Sequence, residues 1–232
     1  MKYQNILNAE VVLNEIDNYD CIIDVRSESE FKIDHIPGAI NYPVLNNIER
    51  KLIGEVYKNK SAFEAKKIGA SLITKNISKF LNESLKYHNQ NWKPLIYCWR
   101  GGNRSESLSH ILSKIGWKVT QLSGGYKSYR REIIKIIKKY SDEFEFRVIC
   151  GPTGSGKSLL LKNLQKQGAQ VLDLEQLAMH RGSVLGCLPS ILQPSQKMFE
   201  SNIWKTLKIF KKEKLIYVES ESKKIGKVNL PD

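Results

Sequence analysis

The sequence predicts an α/β protein: a parallel-sheet domain over residues 1–126, a basic linker helix over 127–141, and a partial second α/β domain over 142–232. Three observations carry this. Short apolar runs alternate with helical periodicity, the pattern of a parallel sheet covered on both faces. One such run, Pro94-Leu95-Ile96-Tyr97, ends on Cys98-Trp99-Arg100-Gly101-Gly102-Asn103-Arg104-Ser105, a loop rich in glycine and arginine. Another, Phe144 to Cys150, ends on Gly151-Pro152-Thr153-Gly154-Ser155-Gly156-Lys157-Ser158.

Residues 8–18 read as a short helix. Residues 20–26 read as a buried strand ending in Asp24 and Arg26, which are placed to pair or to hold loops. Pro37-Gly38 returns the chain to the sheet, and His35 is expected to be structural. Residues 47–88 read as helix-rich, with Ile68, Leu72, Ile73, Ile77, Phe80 and Leu81 near helical spacing. The strand at 94–97 then delivers Cys98 to a loop just before a helix that includes Ser107–Leu112. Two glycines let successive N–H groups converge into an anion nest, and the helix N-terminus adds partial positive charge. With Arg100 and Arg104 nearby, these surroundings favour thiolate and make Cys98 the candidate nucleophile.

The loop resembles the active-site loop of rhodanese-like sulfurtransferases, and it also has the C-x5-R spacing of cysteine phosphatases. Both chemistries need a thiolate beneath a ring of N–H donors, so the loop alone leaves them open. The residues upstream are more specific. Asp24-x-Arg26, Glu30-Phe31, His35-Ile36-Pro37-Gly38-Ala39 and Asn41 are similar to the first half of rhodanese domains. After a short strand at 116–122, Leu122-Ser123-Gly124-Gly125 resembles their closing turn.

The chain carries a net charge of +13. Residues 1–140 hold 23 basic and 14 acidic residues, and residues 141–232 hold 14 and 10, so the excess is spread over both parts. Such an excess points to a polyanionic partner, most simply nucleic acid. Residues 127–140 form a basic amphipathic helix whose Lys127, Arg130, Arg131, Lys135 and Lys138 are candidates for phosphate-backbone contacts; the same pattern also suits a connector helix packed at a domain junction. No apolar run approaches the roughly 20 residues of a membrane span. The N-terminus has no signal-peptide pattern, so a cytoplasmic location is expected. Cysteines 21, 98, 150 and 187 lie far apart with no CxxC pair, which indicates neither a structural metal nor a disulfide framework. Cys21 and Cys150 lie in apolar runs and are expected in the core.

The second loop is G-x-x-x-x-G-K-S between a strand and a helix, the context a phosphate-binding P-loop requires. Its candidates are Gly151, Thr153, Gly154, Ser155, Gly156, Lys157 and Ser158, with Lys157 neutralising terminal phosphate charge. What this motif shows is a di- or triphosphate site, not hydrolysis. Two further strands, 170–174 and 215–222, end near Asp173 and Glu219; with Ser158 these are the candidate Mg²⁺ ligands. His180, Arg181, Gln193, Ser195 and Gln196 form polar clusters that periodicity does not explain.

Taken together, a Cys-Trp-Arg-Gly-Gly loop, a P-loop, Leu-Ala-x-His-Arg-Gly-Ser and Gln-Pro-Ser-Gln-x-x-Phe-Glu resemble the tRNA 2-selenouridine synthase family across essentially the whole chain. The resemblance implies conversion of wobble 2-thiouridine, in the tRNA anticodon loop, to 2-selenouridine through S-geranyl-2-thiouridine. Geranyl diphosphate and selenophosphate are the implied substrates, with no covalently bound cofactor, and Cys98 carries selenium as a perselenide. It further implies that loop residues 99–105 hold selenophosphate or stabilise the anion, that the P-loop binds the diphosphate, and that His180, Arg181, Gln193, Ser195 and Gln196 line the substrate pocket. A selenophosphate-supplying enzyme is an implied partner. The runner-up readings are a rhodanese-type sulfurtransferase and an inactive tRNA- or nucleotide-binding remnant. Family members continue well past the last strand, so the chain is expected to be C-terminally truncated, with a separate C-terminal fragment as a candidate partner.

Overall fold

The computed structural model describes residues 4–152, 154–180, 186 and 192–231. The chain divides into two compact units, Met1–Glu132 and Ile133–Asp232. The boundary falls inside one continuous helix, α6 (Gly125–Glu143).

The first unit is an all-parallel five-stranded sheet. Its strands are β1 (Gln4–Leu7), β2 (Cys21–Asp24), β3 (Ala39–Asn41), β4 (Pro94–Tyr97) and β5 (Val119–Leu122), in the order β1-β5-β4-β2-β3. All four residues of β4 are buried, because it lies in the middle of the sheet with helices on the faces. The helices are α1 (Ala9–Asn14), α2 (Glu28–Ile33), α3 (Asn47–Asn59), α4 (Ala62–Glu83) and α5 (Asn103–Ile115). Ile73 and Ile77 of α4 enter the core with Ile23, Ile96, Leu108, Leu112 and Trp117. Capping boxes at Ser27/Glu30 and Asn46/Glu49 fix the starts of α2 and α3. Gly116, at φ +116°, ends α5 in the left-handed conformation.

Strand β1 is an element the sequence did not announce. It is four residues long, polar at Gln4 and Asn5, and sits at the sheet edge with no more than half-burial. His35 is structural: its ring stacks on Phe31 at 3.8 Å and its Nδ1 lies 2.9 Å from the Phe31 carbonyl.

The second unit has a parallel sheet of β6 (Phe146–Ile149), β7 (Gln170–Leu172) and β8 (Ile216–Glu219), in the order β6-β8-β7. Packed on it are α7 (Lys157–Lys166), α8 (Leu174–Leu177) and α9 (Gln196–Lys208). A short hairpin, β9 (Lys224–Ile225) and β10 (Val228–Asn229), puts Ile225 and Val228 into the core beside Phe199, Ile203 and Val218. Cys150 corrects an expectation: it is exposed, because it follows the end of β6, an edge strand that is at best half-buried. Cys21 is half-buried against the first core, and the described cysteines 21, 98 and 150 are free.

The first unit is tied together by a buried guanidinium. Arg26 is 1% exposed and donates to Asp24 Oδ2 at 2.6 Å and to the Asp34 carbonyl at 2.7 Å. Removing one partner of such a pair leaves an uncompensated charge in the core, at about 3–5 kcal/mol. Arg26→Met should therefore move the urea midpoint of the first unit by a free energy of about that size. An unchanged midpoint would show that Asp24 is stabilised by other donors.

Candidate functional site

Cys98 follows β4 directly and is 3% exposed. Its loop is held from one side by the turn that starts α6. The Tyr126 amide donates to the Cys98 carbonyl at 2.8 Å, and the Lys127 amide donates to the Trp99 carbonyl at 3.1 Å. The approach is close enough to demand glycine on both sides. A Cβ on Gly101 would lie 2.7 Å from the Leu122 carbonyl oxygen, and one on Gly125 would lie 2.6 Å from the Gly101 nitrogen, both at positive φ. The Leu-x-Gly-Gly turn is thus a wall of the cysteine site.

Ser105 is fully buried in the first turn of α5, and its hydroxyl lies 3.2 Å from Cys98 Sγ in donating geometry. Gln121 of β5 fixes that hydroxyl: its Nε2 donates to Ser105 Oγ at 3.2 Å and to the Gly101 carbonyl at 2.8 Å. Gln121 is a site residue that the sequence reading missed. The available signal was a glutamine within a short strand, Val119–Leu122, whose four residues all prove to be buried.

A pocket of about 420 Å³ opens over Cys98, lined by Trp99, Arg100, Gly102, Asn103 and Arg104, and by Arg50 from α3. The start of α5 at Asn103 places a helix N-terminus on this pocket, which suits an anion. Arg104 does not stand free. It donates to Glu30 at 2.8 Å, and although burial pushes the Glu30 carboxyl up, the Arg104 guanidinium holds it below its ordinary value. Arg100 and Arg50 are exposed at the mouth, with no ion pair among the described residues. Arg50 was not foreseen, because only the packing of α3 brings it near. Trp99 is 36% exposed and stacks on Tyr126 at 5.2 Å.

Along α6, Lys127, Arg131, Lys135 and Lys138 are exposed on the helix surface. Arg130 departs from the expected role as a phosphate contact. It is 8% exposed and sits 3.7 Å from Asp34, whose carboxylate also accepts from Tyr126 at 2.8 Å. Its position on the helix turns it toward Asp34 instead of solvent.

In the second unit, β6 leads to the phosphate loop and α7 starts at Lys157. Gly154 and Gly156 have φ of +82° and +86°. Lys157 Nζ donates to the carbonyls of Gly151 at 2.7 Å and Pro152 at 3.1 Å, and the Ser155 amide donates to Pro152 at 3.2 Å. Thr153 and Arg181 lie outside the described residues. Ser158 Oγ donates to Glu175 at 3.4 Å. Glu219, at the end of β8, accepts from the Glu175 amide at 2.8 Å, and its other oxygen is buried with no hydrogen-bond partner among the described residues. Asp173 caps α8 by accepting from Gln176 at 2.8 Å. Burial pushes the Glu219 carboxyl up to about 7; the Glu175 amide opposes this, and the charges of Asp173 and Glu175 add to it. Burial and a hydrogen bond to Glu221 also raise Glu175. Among the described residues no three His, Cys, Asp or Glu side chains are grouped to hold a metal ion.

The other polar cluster has work inside the fold. Gln193 donates to the carbonyls of Ala178 at 3.0 Å and Ile225 at 3.2 Å, and accepts from Lys227 at 2.8 Å. Gln196 donates to and accepts from Asn229 at 2.8 and 2.7 Å, and Ser195 caps α9. These side chains staple the β9–β10 hairpin to its surroundings, which accounts for a pattern that periodicity left unexplained. His180 is buried, its amide donates to Glu175 at 3.0 Å, and its Nδ1 has no partner among the described residues.

A parallel α/β unit with a cysteine loop closed by a Gly-Gly turn defines a rhodanese-like domain, and the chain belongs to that family, whose model matches residues 8–132. Residues 144–232 match the family described as the tRNA 2-selenouridine synthase AAA domain. Among curated proteins, the chain is 38% identical to the tRNA 2-selenouridine synthase of Nitrosomonas europaea over 215 residues, covering 91% of this chain and 55% of that protein. It is also 38% identical to that of Bdellovibrio bacteriovorus over 216 residues, covering 90% and 56%. The chain thus spans about half the length of these relatives. Among solved structures, a rhodanese-related protein from Thermoplasma volcanium is 22% identical with a TM-score of 0.37, covering 55% of this chain and 92% of that one. No helix among the described residues is long and apolar enough to cross a membrane.

The raised Glu219 carboxyl gives a pH test. Its folded value exceeds its ordinary 4.5, so its contribution to stability is complete below pH 4.5 and lost as pH rises through about 7. Glu219→Gln keeps an acceptor for the Glu175 amide and has no charge to bury. The melting-temperature advantage of Glu219→Gln over wild type should therefore grow between pH 5 and about 8. A pH-independent difference would contradict the raised value.

Proposed function

We propose that this chain performs tRNA 2-selenouridine synthase chemistry: it converts wobble 2-thiouridine to 2-selenouridine by way of S-geranyl-2-thiouridine. The observation that carries the reading is the conjunction, in one chain, of a buried Cys98 in a cationic pocket and a P-loop unit of the selenouridine synthase type. Either site alone is compatible with many reactions.

In this reading selenophosphate docks over Cys98 and its selenium attacks C2 of the geranylated base; the C2–sulfur bond breaks and geranylthiolate leaves, and the Cys98 thiolate then takes the phosphoryl group from selenium and passes it to water as phosphate. The Ser105 hydroxyl and the start of α5 stabilise negative charge on the way, as fixed dipoles do most effectively in a closed site. Arg50 and Arg100 receive the phosphate of selenophosphate or of the tRNA backbone. Lys157 and the loop amides hold the diphosphate of geranyl diphosphate and favour its departure. Ser158 and the unpartnered oxygen of Glu219 fit a Mg²⁺ ion, which would neutralise diphosphate charge. The exposed cations of α6 hold tRNA. The wobble base must be unstacked to react, and the exposed Trp99 ring, backed by Tyr126, offers a stacking surface at the mouth of the cysteine pocket. The reaction belongs in the cytoplasm, next to an enzyme that supplies selenophosphate.

The test is nucleoside mass spectrometry of 2-thiouridine-containing tRNA after incubation with the chain, geranyl diphosphate and selenophosphate, each omitted in turn. Geranylated and then selenium-containing uridine is expected. Lys157→Ala should lower geranyl transfer at least about 100-fold, the scale of losing a main charge contact, while selenium exchange on pre-geranylated tRNA persists. Thiouridine left unchanged under all conditions, with tRNA bound, would contradict the reading.

A further inference from the structure

Polar side chains run in series from the edge of the first sheet to the sulfur of Cys98. Gln4, on edge strand β1, donates from Nε2 to Gln121 Oε1 at 3.2 Å. Gln121, on β5, donates from Nε2 to Ser105 Oγ at 3.2 Å and to the Gly101 carbonyl at 2.8 Å. The Ser105 hydroxyl lies 3.2 Å from Cys98 Sγ and 3.1 Å from the Gly102 carbonyl. Strand register accounts for the first link. Gln4 pairs with Val119, and Gln121 stands two residues further along β5, on the same face. Gln121 and Ser105 are both buried, which shields their bonds from water.

The order of donors and acceptors gives this series a direction. Gln4 holds the Gln121 oxygen, which turns the Gln121 amino group toward Ser105. An amide nitrogen only donates, so Ser105 accepts there and keeps its single hydrogen for another acceptor. Two are within reach, the Gly102 carbonyl and the Cys98 sulfur. A protonated Cys98 can give its own hydrogen to Gly102, 3.7 Å away. A thiolate has none to give, and takes the Ser105 hydrogen in a charge-assisted bond. Without Gln121, the buried Ser105 oxygen would be short of a donor and would accept the thiol hydrogen, which favours the protonated sulfur. We propose that Gln121 is a positioning residue for Cys98: oriented by Gln4, it holds Ser105 as a hydrogen-bond donor to the thiolate. The proposal rests on the reading above, in which that thiolate is the phosphoryl acceptor, and it gives β1 a part in the site. The charged groups about the sulfur are Arg100 and Arg104 of its loop, Arg50 of α3, Glu30 of α2 through Arg104, and the Arg26–Asp24 pair behind Trp99. Among the described residues none of them bonds to the Gln121 or Ser105 side chain.

The test follows ultraviolet thiolate absorbance against pH in the full chain. From each variant the same variant carrying Cys98→Ser is subtracted, so that Cys98 alone is read. Ser105→Ala and Gln121→Met should each raise the midpoint by about one pH unit, a tenfold loss of thiolate below it. Gln4→Met, at the half-buried sheet edge, should act in the same direction with about a threefold loss. In the Ser105→Ala background, Gln121→Met should add nothing, because it acts through that hydroxyl. A purely structural role, through the Gly101 carbonyl, would lower the melting temperature and leave the midpoint alone. An unchanged midpoint in Gln121→Met, or the same rise with Ser105 absent, would overturn the proposal. An unchanged midpoint in Gln4→Met would overturn the orienting role of Gln4, and that variant decides the proposal where Gln121→Met does not fold. A chain that shows these shifts yet makes no selenouridine in tRNA would overturn the proposed reaction while supporting the positioning role.

Discussion

A single buried guanidinium holds the cysteine site in shape. Arg26 pairs with Asp24 at the end of β2, donates to the Asp34 backbone after α2, and lies 3.9 Å from the centre of the Tyr126 ring at the start of α6. Tyr126 in turn donates from its hydroxyl to the Asp34 carboxylate and from its amide to the Cys98 carbonyl, while Trp99 stacks on its ring. Three stretches of the chain, residues 24–34, 97–99 and the start of α6, therefore meet at one charge. The cost of burying that charge is met by Asp24, and what it secures is the geometry of the loop that carries Cys98. The Gly124–Gly125 turn completes the arrangement, because only glycine lets the α6 entry approach the loop backbone so closely.

The two sites use different means to handle negative charge. At Cys98, fixed donors dominate: a hydroxyl positioned by Gln121, a helix start, and exposed arginines at the rim. In the second unit, the phosphate loop carries a lysine and two glycines at positive φ, and the buried Glu219 carboxylate lies at the end of β8. The first set suits an anion formed during reaction, where pre-placed dipoles need no rearrangement. The second suits an anion that arrives charged.

The fold and the frames of both glycine loops were legible because each rests on local signals: strand, glycine loop, helix, in that order. What the sequence hid depends on distant packing. Arg130 has the charge and spacing of a nucleic-acid contact, but the helix face it occupies carries it to Asp34. Cys150 reads as core because its neighbours are apolar, yet it ends an edge strand and is exposed. Gln193 and Gln196 look like substrate ligands until their amides are found on hairpin backbone. Arg50 and Gln121 carry no motif at all; they join the cysteine site only through the docking of α3 and the parallel pairing of β4 with β5.

The most direct test of the central claim is to follow selenium into the tRNA. Geranylated tRNA would be incubated with selenium-labelled selenophosphate and either the full chain or its Cys98→Ser variant. The account predicts label in the tRNA with the wild type and none with Cys98→Ser. Selenium transfer by Cys98→Ser at the wild-type rate would contradict it.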